Sequence, residues 1–202
     1  PLLGFSIGFM LMGVLFILIR NWRPHTVNKT FGVLQIISAG YMGLGHGKAD
    51  AQKTMGVIAL TLYGATAAGE LDHLPEWMNF LKIYDKNAAI PFWIIMTCAL
   101  VMAAGTWAGG WKIIKTLGHK MVRMQPVHGF AAETTAATIL MVTGEMGMPV
   151  STTHTITTSI MGVGAAKRWN SVKWSLVERI VWAWIFTIPT SAIMAWLLYR
   201  SE

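Results

Sequence analysis

Met148-Pro149-Val150-Ser151-Thr152-Thr153-His154-Thr155-Ile156-Thr157-Thr158-Ser159 stands between two apolar runs, residues 130–142 and 160–166. Those flanks put the stretch at membrane depth. A proline followed by a cluster of hydroxyl residues is how a helix begins: Pro149 has no N–H to satisfy, and Ser151 or Thr152 can cap the amides of a first turn. A helix that starts inside a bilayer turns its positive end and its unpaired N–H donors toward whatever lies before it. That is the construction of an anion site. The competing reading is a Ser/Thr-rich transmembrane helix whose hydroxyls bond back to their own carbonyls.

The composition fixes the class of protein. Of 202 residues, 54% are hydrophobic and 12% charged, against about 25% charged in soluble domains, so the chain reads as a polytopic membrane protein. The single cysteine, Cys98, lies in an apolar run and offers no disulfide framework. The formal charge of +7 fits basic cytoplasmic loops, and no nucleic-acid motif accompanies it. The chain starts at Pro1, already inside an apolar run, and reads as part of something longer. Trp107, Trp111, Trp169 and Trp174 fall at the ends of apolar runs, where indole rings anchor at headgroup level.

Outward from the opening stretch, residues 2–19, 90–107 and 175–199 read as plain spans, with a kink expected at Pro189. Residues 30–45 and 54–68 are two shorter runs joined by the polar, glycine-bearing stretch 45–53. They read as discontinuous helices, one broken crossing with a peripheral half-helix. Residues 70–86 form an acidic outer loop, and 110–123 a basic amphipathic segment along the cytoplasmic surface. Placing the basic loops at 20–29, 109–125 and 167–173 on one side makes 128–167 enter and return on that side. A re-entrant hairpin is favoured, because each arm has only about 16 apolar-rich residues against the usual ~20.

Two carboxylates stand out. Asp50 sits between apolar runs and Glu133 within one; at membrane depth such groups are costly and usually functional. Their structural alternative is a helix end at headgroup depth. Together with the hydroxyls at 151–153 they suggest a cation beside an anion, since hard cations take oxygen ligands from carboxylates, hydroxyls and unwound carbonyls. Thr134 and Thr135 follow Glu133 and offer further oxygens, or pack as ordinary small residues. His46, His128 and His154 show no metal-ligand spacing; His154 reads as a hydrogen-bonding partner or a donor to substrate. An intramembrane serine hydrolase built from Ser151, His154 and Asp50 lacks a nucleophile-elbow motif.

Two motifs resemble the inorganic phosphate transporter (PiT) family: Gly45-His46-Gly47-Lys48-Ala49-Asp50-Ala51-Gln52-Lys53-Thr54-Met55-Gly56, and Pro149-Val150-Ser151-Thr152-Thr153-His154 preceded by Gly129-Phe130 and Glu133. The approach from Gly118-His119-Lys120 to Pro126 is similar too, and the likeness covers about residues 30–199. The resemblance implies an all-α fold of two inverted repeats, each with one aspartate motif and one hydroxyl-rich hairpin. This chain, carrying each motif once, is then the second repeat: a single transmembrane domain over residues 1–202 with discontinuous helices and a re-entrant hairpin. It implies a cation-coupled phosphate symporter of the cell (plasma or inner) membrane, not an enzyme, needing no cofactor beyond a coupling Na⁺ or H⁺. Phosphate is expected at Ser151, Thr152, Thr153 and Asp50, and the coupling ion at Asp50, Glu133 and Thr134. His154, Lys48 and Gln52 are expected auxiliaries. The expected partners are phosphate, the cation, the bilayer, the first repeat of the same protein and, in a homodimer, a second copy; nucleic acid is not expected. A sulfate or other anion carrier is the alternative.

The chain departs from the family pattern at one place. The aspartate is normally preceded by asparagine, and here Ala49 stands there with Lys48 before it. A methyl group neither coordinates a cation nor donates to phosphate. Either the Lys48 ammonium substitutes for a bound cation or attracts phosphate, or Lys48 snorkels to the interface.

Overall fold

The computed structural model describes residues 1–85, 89–115, 122 and 124–200, without the side chains of 112–115. Its regular structure is helical: α1 (Leu2–Ile19), α2 (Pro24–Ala67), α3 (Phe92–Lys115), α4 (Pro126–Glu145), α5 (Thr152–Lys167) and α6 (Trp174–Arg200), with short 3-10 turns at Glu76–Leu81 and Trp169–Ser171. The helix starts follow local chemistry. Prolines open α2 and α4, and at α4 a reciprocal capping box joins Gln125 and His128. Among the described residues, Leu2–Ile19, Phe92–Trp111 and Trp174–Arg200 are long and apolar enough to cross a membrane. The apolar side chains of α6 are almost all exposed in the isolated chain, as a lipid-facing or subunit-facing helix requires.

Cross-contacts give the helix directions. Ser38 meets Glu133, Gly45 lies against Ala137, and Lys48 meets Glu145, so α2 and α4 run parallel. Phe16, near the end of α1, lies edge-on to His128 in the first turn of α4 with ring centroids 6.3 Å apart. Residues 1–4 share a cleft with Ile139, Thr143 and Ser151, so α1 runs against α4. The α4–α5 pair is therefore an antiparallel hairpin. Its outer ends lie where α1 finishes, and its tip lies level with the first residues of α1.

The close approach of α1 to α5 rests on glycines. A Cβ on Gly162 would lie 2.1 Å from the Phe5 carbonyl oxygen, and one on Gly8 would lie 2.8 Å from that of Ser159. Small residues at a helix crossing let backbones touch where side chains would hold them apart. One apolar core, including Met12, Leu15, Phe31, Ala131 and Val163, fills the space among α1, α2, α4 and α5. A second joins the later half of α2 to α3 through Met55, Ile94 and Cys98.

Two expectations are corrected. Residues 24–67 form one unbroken helix of 44 residues, not two discontinuous halves. At 1.5 Å per residue it is about 66 Å long, well beyond a bilayer of about 40–45 Å with its headgroups. The polar stretch interrupts hydropathy but not helix propensity: Lys48, Ala49, Ala51, Gln52 and Lys53 are good helix formers. Asp50 also pairs along the helix with His46 at i−4 and Lys53 at i+3. Between α4 and α5 the helical structure is interrupted at residues 146–151. Secondly, α3 continues through Gly110 to Lys115, so the basic segment begins as an extension of a span. Residues 116–121 and 123, including the Gly118-His119-Lys120 motif, lie outside the described residues. Pro189 lies inside α6, which is not broken there.

Replacing Gly162 with alanine forces α1 away from α5. The variant is expected to lose about 1–3 kcal/mol, read as a lower melting temperature of the purified full-length protein in detergent. An unchanged melt would mean that the α1–α5 contact contributes little.

Candidate functional site

The site is where the tip of the α4–α5 hairpin meets the middle of α2. Gly147, at φ +68°, takes the left-handed conformation that turns the chain out of α4. Pro149 and Val150 lead to Ser151, the N-cap of α5, whose hydroxyl accepts from the His154 N–H at 3.3 Å. The Thr152 and Thr153 amides of the first turn have no partner among the described residues. Three later hydroxyls bond back: Thr155 donates to the Ser151 carbonyl, Thr158 to that of His154, and Ser159 to that of Thr155, while the buried Thr157 hydroxyl has no partner among the described residues. The stretch thus combines a Ser151 cap at the first turn with back-bonding beyond it.

Asp50 ties this helix start to α2. Thr152 Oγ1 donates to Asp50 Oδ2 at 3.0 Å, across 102 residues of sequence. His46 Nε2 stands 2.9 Å from the same oxygen. Lys53 Nζ reaches Asp50 Oδ1 at 3.2 Å and donates to the Val150 carbonyl at 2.6 Å. Asp50 is about one-third exposed (33%). Ser151 and Thr153 are exposed and Thr152 is buried, so the helix start presents two of its three hydroxyl residues outward while the third holds the carboxylate. Gln52 is exposed on α2. His154 lies against Trp184 of α6 at 4.0 Å between ring centroids. It lines, with Ser151 and Thr155, a cleft of about 380 Å³ beside the first residues of α1.

Several expected neighbours are separated. Lys48 is not on Asp50: it pairs with Glu145 at the end of α4. The ammonium on Asp50 belongs to Lys53. Glu133 is not at the tip either. Ser38 donates to its Oε2 at 2.5 Å, Gln35 interacts with the same carboxylate, and Thr134 beside it is half-buried. Ser38 and Asp50 are twelve residues apart on α2, about 18 Å along the axis, so the two carboxylates are separate stations. His46, Gln35 and Ser38 were not among the residues expected at either station. The i, i+4 spacing of His46 and Asp50 would have indicated the first, had the stretch been read as helix.

Comparison with known proteins bears on what this geometry serves. The phosphate transporter family matches residues 9–195. The chain belongs to that family. It is 43% identical over 199 residues, covering 96% of this chain and 54% of the relative, to a protein of Rhizobium meliloti described as a probable low-affinity inorganic phosphate transporter. A Bacillus subtilis protein of the same description is 35% identical, with 98% of this chain and 55% of the relative covered. The chain spans about half the length of the curated relatives it matches. No solved structure matches.

Membership of a transporter family sets the serine hydrolase reading aside, and the geometry agrees. The Ser151 hydroxyl accepts from the backbone of His154, and the imidazole nitrogen found beside Asp50 belongs to His46. In this phosphate transporter family chain the Thr152–Asp50 and Lys53–Val150 bonds link the two sequence motifs. Thr152→Val removes the donor while keeping the shape. Exchange of the amides of residues 146–155 in the full-length protein, followed by mass spectrometry, is expected to quicken roughly fivefold, about 1 kcal/mol; Thr152→Ser should restore protection. Equal exchange in all three proteins would show that the tip is held by other contacts.

Proposed function

We propose that this chain is one half, the second repeat, of an inverted-repeat symporter that carries inorganic phosphate with Na⁺ or H⁺ across the cell membrane. Phosphate binds at the start of α5. The observation that carries the reading is the Thr152–Asp50 hydrogen bond. It brings the aspartate motif to a capped helix start with unpaired amides, in a chain of the phosphate transporter family. Residues 1–202 act as a single transmembrane domain, and the α4–α5 hairpin is re-entrant. The first repeat of the same protein completes the site, and a homodimer is compatible with the exposed face of α6.

The chemistry follows from charge. Phosphate is an anion, and dehydrating it is unfavourable unless donors replace its water. The Ser151 and Thr153 hydroxyls and the Thr152 and Thr153 amides supply donors at the positive end of a helix. His154 is placed to add a contact from the cleft side, while Gln52 and Lys48 border the α2 side. The Asp50 carboxylate alone would repel the anion, and the Lys53 ammonium beside it offsets that repulsion, with the His46 imidazole in contact with the same carboxylate. The co-transported cation is served by the second station along α2, with Glu133 and Thr134. Anion and cation then favour one another's binding, the thermodynamic basis of symport. Movement of one repeat against the other alternates access.

The test is uptake of labelled phosphate by the full-length transporter in proteoliposomes, under an inward sodium gradient, an inward proton gradient, and neither. Ser151→Ala and Thr153→Val are each expected to weaken apparent phosphate affinity about tenfold, one charge-assisted hydrogen bond's worth. Wild-type uptake should be gradient-driven and resist a large excess of sulfate. Uptake blocked by sulfate would identify a general anion carrier, and variants equal to wild type would move the phosphate elsewhere.

A further inference from the structure

The structure assigns Lys53 the place of a cation: its ammonium sits between the α2 carboxylate and the unwound hairpin tip, so this station takes no sodium ion. The inference rests on the proposed phosphate symport and specifies its ion. Lys53 Nζ has two oxygen partners from segments far apart in sequence, Asp50 Oδ1 at 3.2 Å and the Val150 carbonyl at 2.6 Å. A carboxylate oxygen with a carbonyl freed at a helix break is the ligand type that membrane transporters offer to Na⁺. Thr152 Oγ1 and the second Asp50 oxygen lie beside it. Two cations cannot share so small an oxygen set, and the tethered one is always present at high local concentration.

An ordinary surface ion pair does not account for this arrangement. The i, i+3 pairing with Asp50 could form on any exposed helix, but the bond to Val150 spans 97 residues of sequence. It also satisfies a carbonyl that the end of regular structure leaves open. Lys48, one turn earlier, reaches Glu145 on the other side of the tip. The hairpin tip is thus held to α2 by two ammonium groups, and of these Lys53 holds the site carboxylate. Asp50 then serves the anion, as the neutralised anchor of Thr152, and the travelling cation is taken elsewhere, with Glu133, the carboxylate inside α4 that Ser38 bonds, as its station.

The test compares wild type with Lys53→Met, which keeps the length and apolar stem but removes the charge, and Lys53→Gln as a second neutral variant. Two readouts are made on the full-length protein: the melting temperature in sodium chloride against choline chloride at equal ionic strength, and phosphate uptake in the same two salts. In wild type the difference in melting temperature between the two salts is expected to be the same with and without Asp50→Asn. Lys53→Met or Lys53→Gln should gain a sodium-dependent rise in melting temperature, lost again when Asp50→Asn is added, and uptake in sodium at least about fivefold above that in choline. A sodium-dependent melt of wild type that Asp50→Asn abolishes would overturn the inference, as would folded neutral variants with no sodium preference. The melts need no transport, so absent phosphate uptake would count against the proposed function alone.

Discussion

The first turn of a helix has backbone amides with no carbonyl to receive them, and at α5 that deficit lies in the midst of other helices. Ser151 takes one of the donors, and Thr152 and Thr153 keep theirs. The open donors and the helix dipole make the spot positive, and Asp50 is the counter-charge held against it by the Thr152 hydroxyl. The carboxylate would in turn be costly at membrane depth by itself, and His46 and Lys53 stand on it. Each group at the tip answers a need created by the one before. The chain of needs starts from a helix that begins in the wrong place for an ordinary span.

Keeping the helix start there requires that α5 be gripped along its length. On the α1 side the grip is backbone on backbone through Gly4, Gly8 and Gly162, which leaves no room for long side chains. The row of threonine and serine residues facing that crossing would expose hydroxyls to an apolar seam, so they bond to carbonyls one turn back. The same residue type therefore does two jobs within one helix. Hydroxyls of the first turn are directed by the missing carbonyls of that turn. Thr155, Thr158 and Ser159, where each carbonyl is in place, find their acceptor within the helix.

The start of α5 was legible in the sequence because its signal is local: a proline, a hydroxyl cap and apolar flanks. The span boundaries were legible to within a few residues for the same reason. The continuity of helix α2 is not legible in the same way, because hydropathy does not report whether a helix continues. Charged residues at 48–53 break an apolar pattern, but alanine, lysine and glutamine continue a helix, and nothing in hydropathy distinguishes the two. The same ambiguity hides His46, whose approach to Asp50 exists only on an unbroken helix. Which ammonium group meets Asp50 is obscured for a different reason. Lys48 and Lys53 are both near Asp50 in sequence, but on a helix the residue at i+3 shares a face with i and the one at i−2 does not. The separation of Glu133 from Asp50 was beyond sequence reasoning, since it depends on α2 and α4 running parallel, which only long-range contacts reveal.

That parallel pairing has a mechanical consequence. Contacts between α2 and α4 occur at Ser38–Glu133, Gly45–Ala137 and Lys48–Glu145, spaced along most of α4, so the two helices behave as one body. Helix α5 meets that body through the shared apolar core, the short tip, Thr152 and Lys53, while its far side is seated on α1. A ligand at the start of α5 that competes for the Thr152 hydroxyl or for the Lys53 ammonium acts on the joint between two bodies, the α2–α4 pair and the α1–α5 pair. A ligand at Glu133 acts within the first body. Coupling between an event at the tip and one about 18 Å away along α2 then needs no wire of side chains. It needs only that the two bodies have more than one relative arrangement, with each ligand favouring the same one.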